Sequence, residues 1–250
     1  MQIKHTPMTN ARYWSAIAVA SVFGTNLGDL YANDSGLGLL GGLPILAVLW
    51  AIVYFVEKRV QRPTEVFYWL CIIILRTGAT NIADYVCGRR HLGVDRWVFS
   101  AGLAVGMAAL AFWSSRAERA ATGTNARKLL PDTDAVYWVC MLLAGVFGTA
   151  LGDAIQKALG QGEASLILAV VLAVTLLLYN KGLLGWVYGY WATVSVARTT
   201  GTAVGDWLAE TKKLNIGLLY ATIGSGVVFV AILTLWKHRR ADEVAVAPAA

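Results

Sequence analysis

The chain has 250 residues, of which 57% are hydrophobic and only 14% are charged, and its mean hydropathy is +0.58. This composition excludes an ordinary soluble domain and favours a protein whose solvent is the lipid bilayer. The net charge of +6 at pH 7 would suit a nucleic-acid partner, but the positions of the basic residues explain it without one.

Apolar segments long enough to cross about 30 Å of hydrocarbon, which takes about 20 helical residues, recur along the chain. There are eight, at residues 12–32, 36–56, 66–87, 95–115, 135–156, 162–180, 186–208 and 215–236. We therefore predict an all-α membrane protein with eight transmembrane helices. They would form a single membrane domain over residues 1–250, with a basic linker at 116–134 between two halves. The first ten residues are polar and carry no cleavage pattern, so we expect the first span to be retained.

Four segments of the chain align with one another without a gap. They are YWSAIAVASVFGTNLGD (13–29), YWLCIIILRTGATNIAD (68–84), YWVCMLLAGVFGTALGD (137–153) and YWATVSVARTTGTAVGD (190–206). Each begins with Tyr-Trp, has a threonine four residues before its end and ends in aspartate. The first and third copies share VFGTxLGD, whereas the second and fourth carry an arginine eight residues before the aspartate.

This pattern predicts four two-helix repeats in the order A-B-A-B, at residues 12–56, 66–115, 135–180 and 186–236. Because each repeat has two spans, all motif-bearing helices would cross the membrane in one direction. The repeats would then be parallel and related by pseudo-symmetry about the membrane normal.

The basic residues predict the orientation of the chain. With the N-terminus inside, thirteen Lys and Arg lie on the cytoplasmic side, six lie on the opposite side and two lie within spans. The positive-inside rule therefore predicts cytoplasmic N- and C-termini in a bacterial inner membrane. We expect membrane lipids and no nucleic acid as partners, and a homo-oligomer is compatible with the sequence.

The pattern resembles a bacterial inner-membrane protein family of four tandem repeats of unknown function, with two membrane spans and a characteristic tryptophan in each repeat. The resemblance covers residues 12–236 and rests on Trp14, Trp69, Trp138 and Trp191. It implies the repeat fold but no activity. We interpret the four tryptophans as anchors at the membrane interface, with substrate stacking as the alternative.

The strongest candidate site residues are the aspartates that end the four copies, Asp29, Asp84, Asp153 and Asp206. An ionised carboxylate inside the bilayer costs at least ~2.5–3.5 kcal/mol, so these side chains need partners. The threonines four residues earlier lie on the same helix face and add hydroxyl oxygens; they are Thr25, Thr80, Thr149 and Thr202. Asn26 and Asn81 add amide oxygens in the first half. Oxygen ligands suit hard cations such as Mg²⁺, Ca²⁺ or Mn²⁺, so we predict a ring of oxygens that binds one of them.

We therefore predict a secondary transporter or channel for a hard, divalent inorganic cation, with no cofactor required. Arg76 and Arg198 would serve as internal counter-charges, because four aspartates and two arginines leave a charge of −2 for one divalent ion to neutralise. Two alternatives stay open: a carrier of a small organic solute, with a proton relay on aspartates and anion contacts on arginines, and a non-transporting scaffold with structural Asp–Arg pairs. The sequence has no catalytic motif or P-loop, so we do not expect an enzyme.

Overall fold

The computed structural model describes residues 6–60, 64–118, 131, 133–184, 186–211, 214 and 216–236. These residues form helices and no β-strand, which confirms the predicted all-α class. The helices are α1 (Ala11–Asp34), α2 (Gly38–Gly41), α3 (Leu43–Arg59), α4 (Val66–Cys87), α5 (Arg96–Glu118), α6 (Ala135–Leu159), α7 (Gln161–Asn180), α8 (Trp186–Glu210) and α9 (Leu218–Leu235). Most of the predicted linker at 116–134 and the basic residues after 236 lie outside the described residues.

Six helical segments of the described chain are long and apolar enough to cross a membrane. They are Gly38–Arg59, Val66–Cys87, Arg96–Trp113, Ala135–Leu159, Gln161–Asn180 and Leu218–Leu235. Helices α1 and α8 have 24 and 25 residues but are not among these six, since they contain more small and polar residues. The chain therefore has the character of a multi-pass membrane protein.

Two of the motif helices begin with the same capping interaction. The Asn10 side chain accepts a hydrogen bond from the N–H of Tyr13 at 3.0 Å, and the Asp134 side chain accepts one from Tyr137 at 2.9 Å. Such a cap satisfies a free N–H of the first turn and contributes about 1 kcal/mol. Because Tyr13 and Tyr137 correspond in the aligned copies, α1 and α6 begin at equivalent positions. The turn into α7 contains Gly160, whose φ of 97° glycine adopts without strain.

Helices α1, α4, α6 and α8, which carry the four motif copies, form a closed inner ring. Helix α1 packs against α4, α4 against α6, α6 against α8, and α8 against α1. Glycines permit a close approach, since a Cβ atom at Gly24 would overlap the side chain of Arg76, and one at Gly148 would overlap that of Arg198. Small residues at membrane helix contacts act in this way. The two halves of the chain thus make the same contact between an A copy and the following B copy.

The other long helices form an outer layer, and each packs most extensively on the motif helix of the following copy. Helix α3 packs on α4, α5 on α6 and α7 on α8, while α9 returns to α1. The outer layer exposes apolar side chains such as Val105, Leu166 and Val227. A hydrocarbon environment accommodates this surface, whereas a monomeric soluble protein would rarely expose so much of it.

Candidate functional site

The motif residues recur every four residues along each inner helix, which puts them on one helix face. In α1 the series is Tyr13, Ile17, Ser21, Thr25 and Asp29. Corresponding residues of the four helices form layers along the ring axis. The layers are the tyrosines (Tyr13, Tyr68, Tyr137, Tyr190), an apolar layer (Ile17, Ile72, Met141, Val194), a mixed layer (Ser21, Arg76, Gly145, Arg198), the threonines (Thr25, Thr80, Thr149, Thr202) and the aspartates (Asp29, Asp84, Asp153, Asp206).

At one end of the axis the four tyrosine hydroxyls form a closed ring of hydrogen bonds. The oxygen–oxygen distances are 3.0 Å from Tyr13 to Tyr68, 2.7 Å from Tyr68 to Tyr137, 2.9 Å from Tyr137 to Tyr190 and 2.6 Å from Tyr190 to Tyr13. All four side chains are buried. A hydroxyl can both donate and accept, so the ring satisfies four buried groups by itself. The ring closes the axis at this end.

The motif tryptophans pack around this tyrosine ring. The centroid of the Trp14 ring lies 5.1 Å from that of Tyr13 in its own copy. It lies 5.7 Å from that of Tyr190 in the fourth copy, which precedes the first copy around the ring of helices. The same relation to their own and the preceding tyrosine recurs at Trp69, Trp138 and Trp191. All four indole rings are buried, whereas an interface anchor faces the lipid headgroups. In the structure these tryptophans pack on the tyrosine ring, at the end of the axis that the tyrosines close.

The guanidinium group of Arg76 occupies the threonine layer. Its Nη1 donates to Thr149 Oγ1 at 2.8 Å, to the Gly145 carbonyl oxygen at 3.1 Å and to Thr80 Oγ1 at 3.3 Å. Its Nη2 donates to Thr202 Oγ1 at 2.6 Å and to Thr25 Oγ1. One arginine thus joins all four inner helices. The sequence assigned these hydroxyls to an inorganic cation, whereas in the structure they accept hydrogen bonds from a cationic side chain of the protein itself.

Arg198 occupies the position equivalent to Arg76 in the aligned copies, but its side chain points the other way. Its Nη1 lies 3.3 Å from Ser21 Oγ, and its Nη2 lies 3.4 Å from the sulfur of Met141. Its guanidinium therefore lies on the tyrosine side of the mixed layer. Both arginines are 1% exposed, and neither forms an ion pair with a carboxylate of the described residues, aspartates included.

The neighbouring residues explain why two equivalent arginines point in opposite directions. Ser21 and Met141 offer Arg198 a hydroxyl and a thioether as partners. The residues equivalent to them around Arg76 are Gly145 and Ile17, which have no polar side-chain atom. In addition, two guanidinium groups about 4 Å apart would repel each other by ~4 kcal/mol at an effective dielectric constant of 20. The threonine layer therefore holds one arginine, and the sequence favours Arg76.

The four aspartates lie beyond the threonine layer, at the end of the axis opposite the tyrosines, and their side chains are half-buried. Asp153 pairs with Arg96, whose Nε lies 3.1 Å from Oδ2, and Asp206 accepts a hydrogen bond from Gln156 at 2.6 Å. Asp29 lies close enough to the other three aspartates for their negative charges to repel its own. In the part of the chain that the structure describes, no three Asp, Glu, His or Cys side chains are close enough to hold a metal ion. The aspartates surround the mouth of the axis without forming a cage.

Asn26 and Asn81, assigned from the sequence as further ligands, are fully buried. They lie one residue after the threonines and thus outside the series that faces the axis. A Cβ atom at Gly205 would lie 2.8 Å from Asn26 Oδ1, so this amide faces α8. Among the described residues, neither amide has a hydrogen-bond partner for its side-chain atoms.

Two features of the site were missed in the sequence. The tyrosine ring had a signal, because Tyr13 and its counterparts begin every aligned copy and precede the aspartate by sixteen residues, a multiple of four. The pairing of Arg96 with Asp153 had no signal in the sequence. Arg96 lies at the start of α5 in the second copy, and no spacing connects it with Asp153 in the third.

Helices suited to crossing a membrane, aligned motif copies and a closed ring of motif helices define a multi-pass membrane protein built from internal repeats. The chain belongs to the family described as Repeat of Unknown Function (DUF347), whose model matches residues 12–63, 136–181 and 189–242. These segments correspond to the first, third and fourth aligned copies, and the match confirms the resemblance to a repeat family of unknown function. No curated protein and no solved structure matches the chain.

Proposed function

We propose that the eight long helices all cross the membrane, as four two-helix repeats related by rotation about an axis along the membrane normal. A helix of 24 residues such as α1 is about 36 Å long, which exceeds the ~30 Å of hydrocarbon in a bilayer. The cyclic packing of both the inner and the outer helices supports the rotation. The distribution of basic residues supports cytoplasmic termini in a bacterial inner membrane.

The protein is a secondary transporter that moves a hard divalent cation, such as Mg²⁺, Ca²⁺ or Mn²⁺, along the ring axis. The observation that carries this proposal is the guanidinium of Arg76 among four threonine hydroxyls, one layer inside a mouth with four aspartates. Oxygen atoms gathered around a positive group are the surroundings that a hard cation needs. The carboxylates at the mouth raise the local concentration of cations there.

Arg76 acts in this mechanism as a tethered competitor of the transported ion. While its guanidinium occupies the threonine layer, an entering cation meets a like charge, and repulsion of ~4 kcal/mol at 4 Å opposes entry for each unit charge. The cation enters the threonine layer from the mouth when Arg76 withdraws, and Arg76 returns when the ion has left. Passage beyond this layer also requires the tyrosine ring to open. This exchange prevents the axis from conducting ions when no transport occurs.

Two alternative functions also have supporting observations. Arg198 has only a serine oxygen and a sulfur atom as described partners for its Nη atoms, which suits a carrier of a small organic anion with aspartates as proton relay. The five hydrogen bonds of Arg76 join four helices, which suits a scaffold without transport. The pairing of Arg96 with Asp153 also suits the scaffold.

The test is uptake of each divalent cation into proteoliposomes, combined with thermal unfolding of the purified protein in titrations with the same cations. We expect Asp29→Asn to reduce uptake at least tenfold and to remove the stabilisation by the transported cation. Asp34→Asn is the matched control, because Asp34 lies on the same helix but is exposed at its end. Arg76→Gln should bind the cation more tightly than the wild type, since the competing charge is gone.

The outcomes separate the candidate functions. The proposal fails if no divalent cation is taken up and none stabilises the protein. Uptake of organic anions that depends on Arg198 would favour the organic-solute carrier. If Asp29→Asn lowers only the yield of folded protein, and uptake per folded molecule stays normal, the aspartates are structural.

A further inference from the structure

The mixed layer of the ring contains two positive charges and no negative one. Arg76 and Arg198 are each 1% exposed, and neither pairs with a carboxylate of the described residues. Within the same part of the chain, the Nε atom of each arginine has no hydrogen-bond partner. Buried charges are normally paired, because a charge removed from water without a counter-charge strongly opposes folding. Within the mixed layer itself, no side chain supplies a counter-charge.

The Nε atoms of Arg76 and Arg198 stay close to the mixed layer from which both side chains start. The guanidinium groups leave the layer in opposite directions, Arg76 toward Thr149 and Arg198 toward Met141, so the Nε atoms remain nearest the layer. The layers on either side of the mixed layer consist of buried residues, which are Ile17, Ile72, Met141 and Val194 on one side and the four threonines on the other.

We propose that a small monovalent inorganic anion of the halide class binds between Arg76 and Arg198 at the centre of the mixed layer. The two Nε–H groups donate to it, and charge-assisted bonds from arginine are the kind that anion sites use. Ser21 adds no donor to the anion, because its hydroxyl donates to the carbonyl oxygen of Ile17 at 2.7 Å, and its oxygen accepts from Nη1 of Arg198 and not from Nε. The anion lowers the charge of the layer from two to one, and the closed space selects a bare ion over an organic anion. The anion site lies next to the threonine layer in which the transported cation is proposed to bind, and it shares Arg76 with that layer.

The test begins with protein purified in halide-free gluconate buffer. Bromide is then titrated at constant ionic strength while thermal unfolding is followed. We expect a saturable rise of the unfolding midpoint by about 3 °C or more, because a ligand of the native state stabilises it. Arg76→Gln and Arg198→Gln should each abolish the saturable response. Arg96→Gln is the matched control and should keep it, since Arg96 pairs with Asp153 at the mouth.

A second measurement covers an anion that is too tightly bound to be titrated. Protein loaded with bromide is desalted and denatured, and the released bromide is counted by ion chromatography. We expect about one ion per wild-type chain and none from Arg198→Gln. If Arg198→Gln does not fold, Arg198→Lys replaces the Nε–H with a methylene group but keeps the charge, and it should weaken bromide binding at least tenfold.

The proposal is overturned if the wild type shows neither a saturable response nor retained bromide. It is also overturned if bromide binding survives both Arg→Gln substitutions or is unchanged in Arg198→Lys. Divalent-cation uptake and its dependence on Asp29 are measured separately, so a failure of the anion site and a failure of the proposed transport are distinguishable.

Discussion

Replacing Thr149 by valine removes one acceptor of Arg76 without changing the size of the side chain. The bond from Nη1 to Thr149 Oγ1 is 2.8 Å long and buried. Hydrogen bonds to charged groups contribute about 1.5–3 kcal/mol to stability. Since Nη1 keeps the carbonyl of Gly145 and the hydroxyl of Thr80 as partners, we expect a loss at the lower end, about 1.5 kcal/mol. For a chain of this size that lowers the unfolding midpoint by about 3–6 °C.

The assay is thermal unfolding in detergent, followed by the fluorescence of the ten tryptophans. Thr193→Val is the matched control, because the Thr193 hydroxyl is equally buried but donates to the Gly189 carbonyl of its own helix at 2.7 Å. It should cost less than about 1 kcal/mol. In an Arg76→Gln background, Thr149→Val should cost at least ~1 kcal/mol less than in the wild type. Equal losses for the two threonines, or additive effects of Thr149→Val and Arg76→Gln, would refute the reasoning.

The other predictions concern the tyrosine ring and the helix contacts, and thermal unfolding checks both. Tyr137→Phe leaves two buried hydroxyls without one of their partners, so we expect a loss of about 1–3 kcal/mol, whereas the exposed Tyr188→Phe should change stability by less than ~0.5 kcal/mol. Gly148→Ala would force a Cβ atom against Arg198, and we expect a loss of about 1–3 kcal/mol. Gly102→Ala has nothing within 4 Å of its new Cβ and should be neutral or stabilising by up to ~1 kcal/mol. The opposite order within either pair would contradict the packing described.

The repeat register could be predicted from the sequence, because it depends on spacing along one helix. Residues four apart share a helix face, so the series from Thr25 to Asp29 and its counterparts indicated that the motif helices present equivalent faces. The same spacing of four residues, continued toward the start of each copy, leads to the tyrosines and so predicts that they share this face. Helix existence and approximate bounds likewise depend on local composition and were predictable.

What could not be predicted depends on contacts between helices. Arg76 and Arg198 are equivalent in the alignment, and their opposite directions result from Ser21 and Met141, which reach Arg198 from two other helices. The pairing of Arg96 with Asp153 connects two copies in the same way. Spacing within one helix carries no information on such contacts, because they depend on how neighbouring helices are rotated and shifted.

The two ends of the described chain meet in the structure. Arg12, at the start of α1, donates from Nη2 to the carbonyl oxygen of Leu233, at the end of α9, at 3.1 Å, and it pairs with Glu65 at 2.7 Å. Because the outer helix of the last copy packs on the inner helix of the first, the ring has no topological beginning. Circular permutation, with a short connection joining the two ends and a new opening between the halves, would leave every helix contact of the ring unchanged. Which of the four copies is synthesised first is thus a property of the chain and not of the assembled bundle.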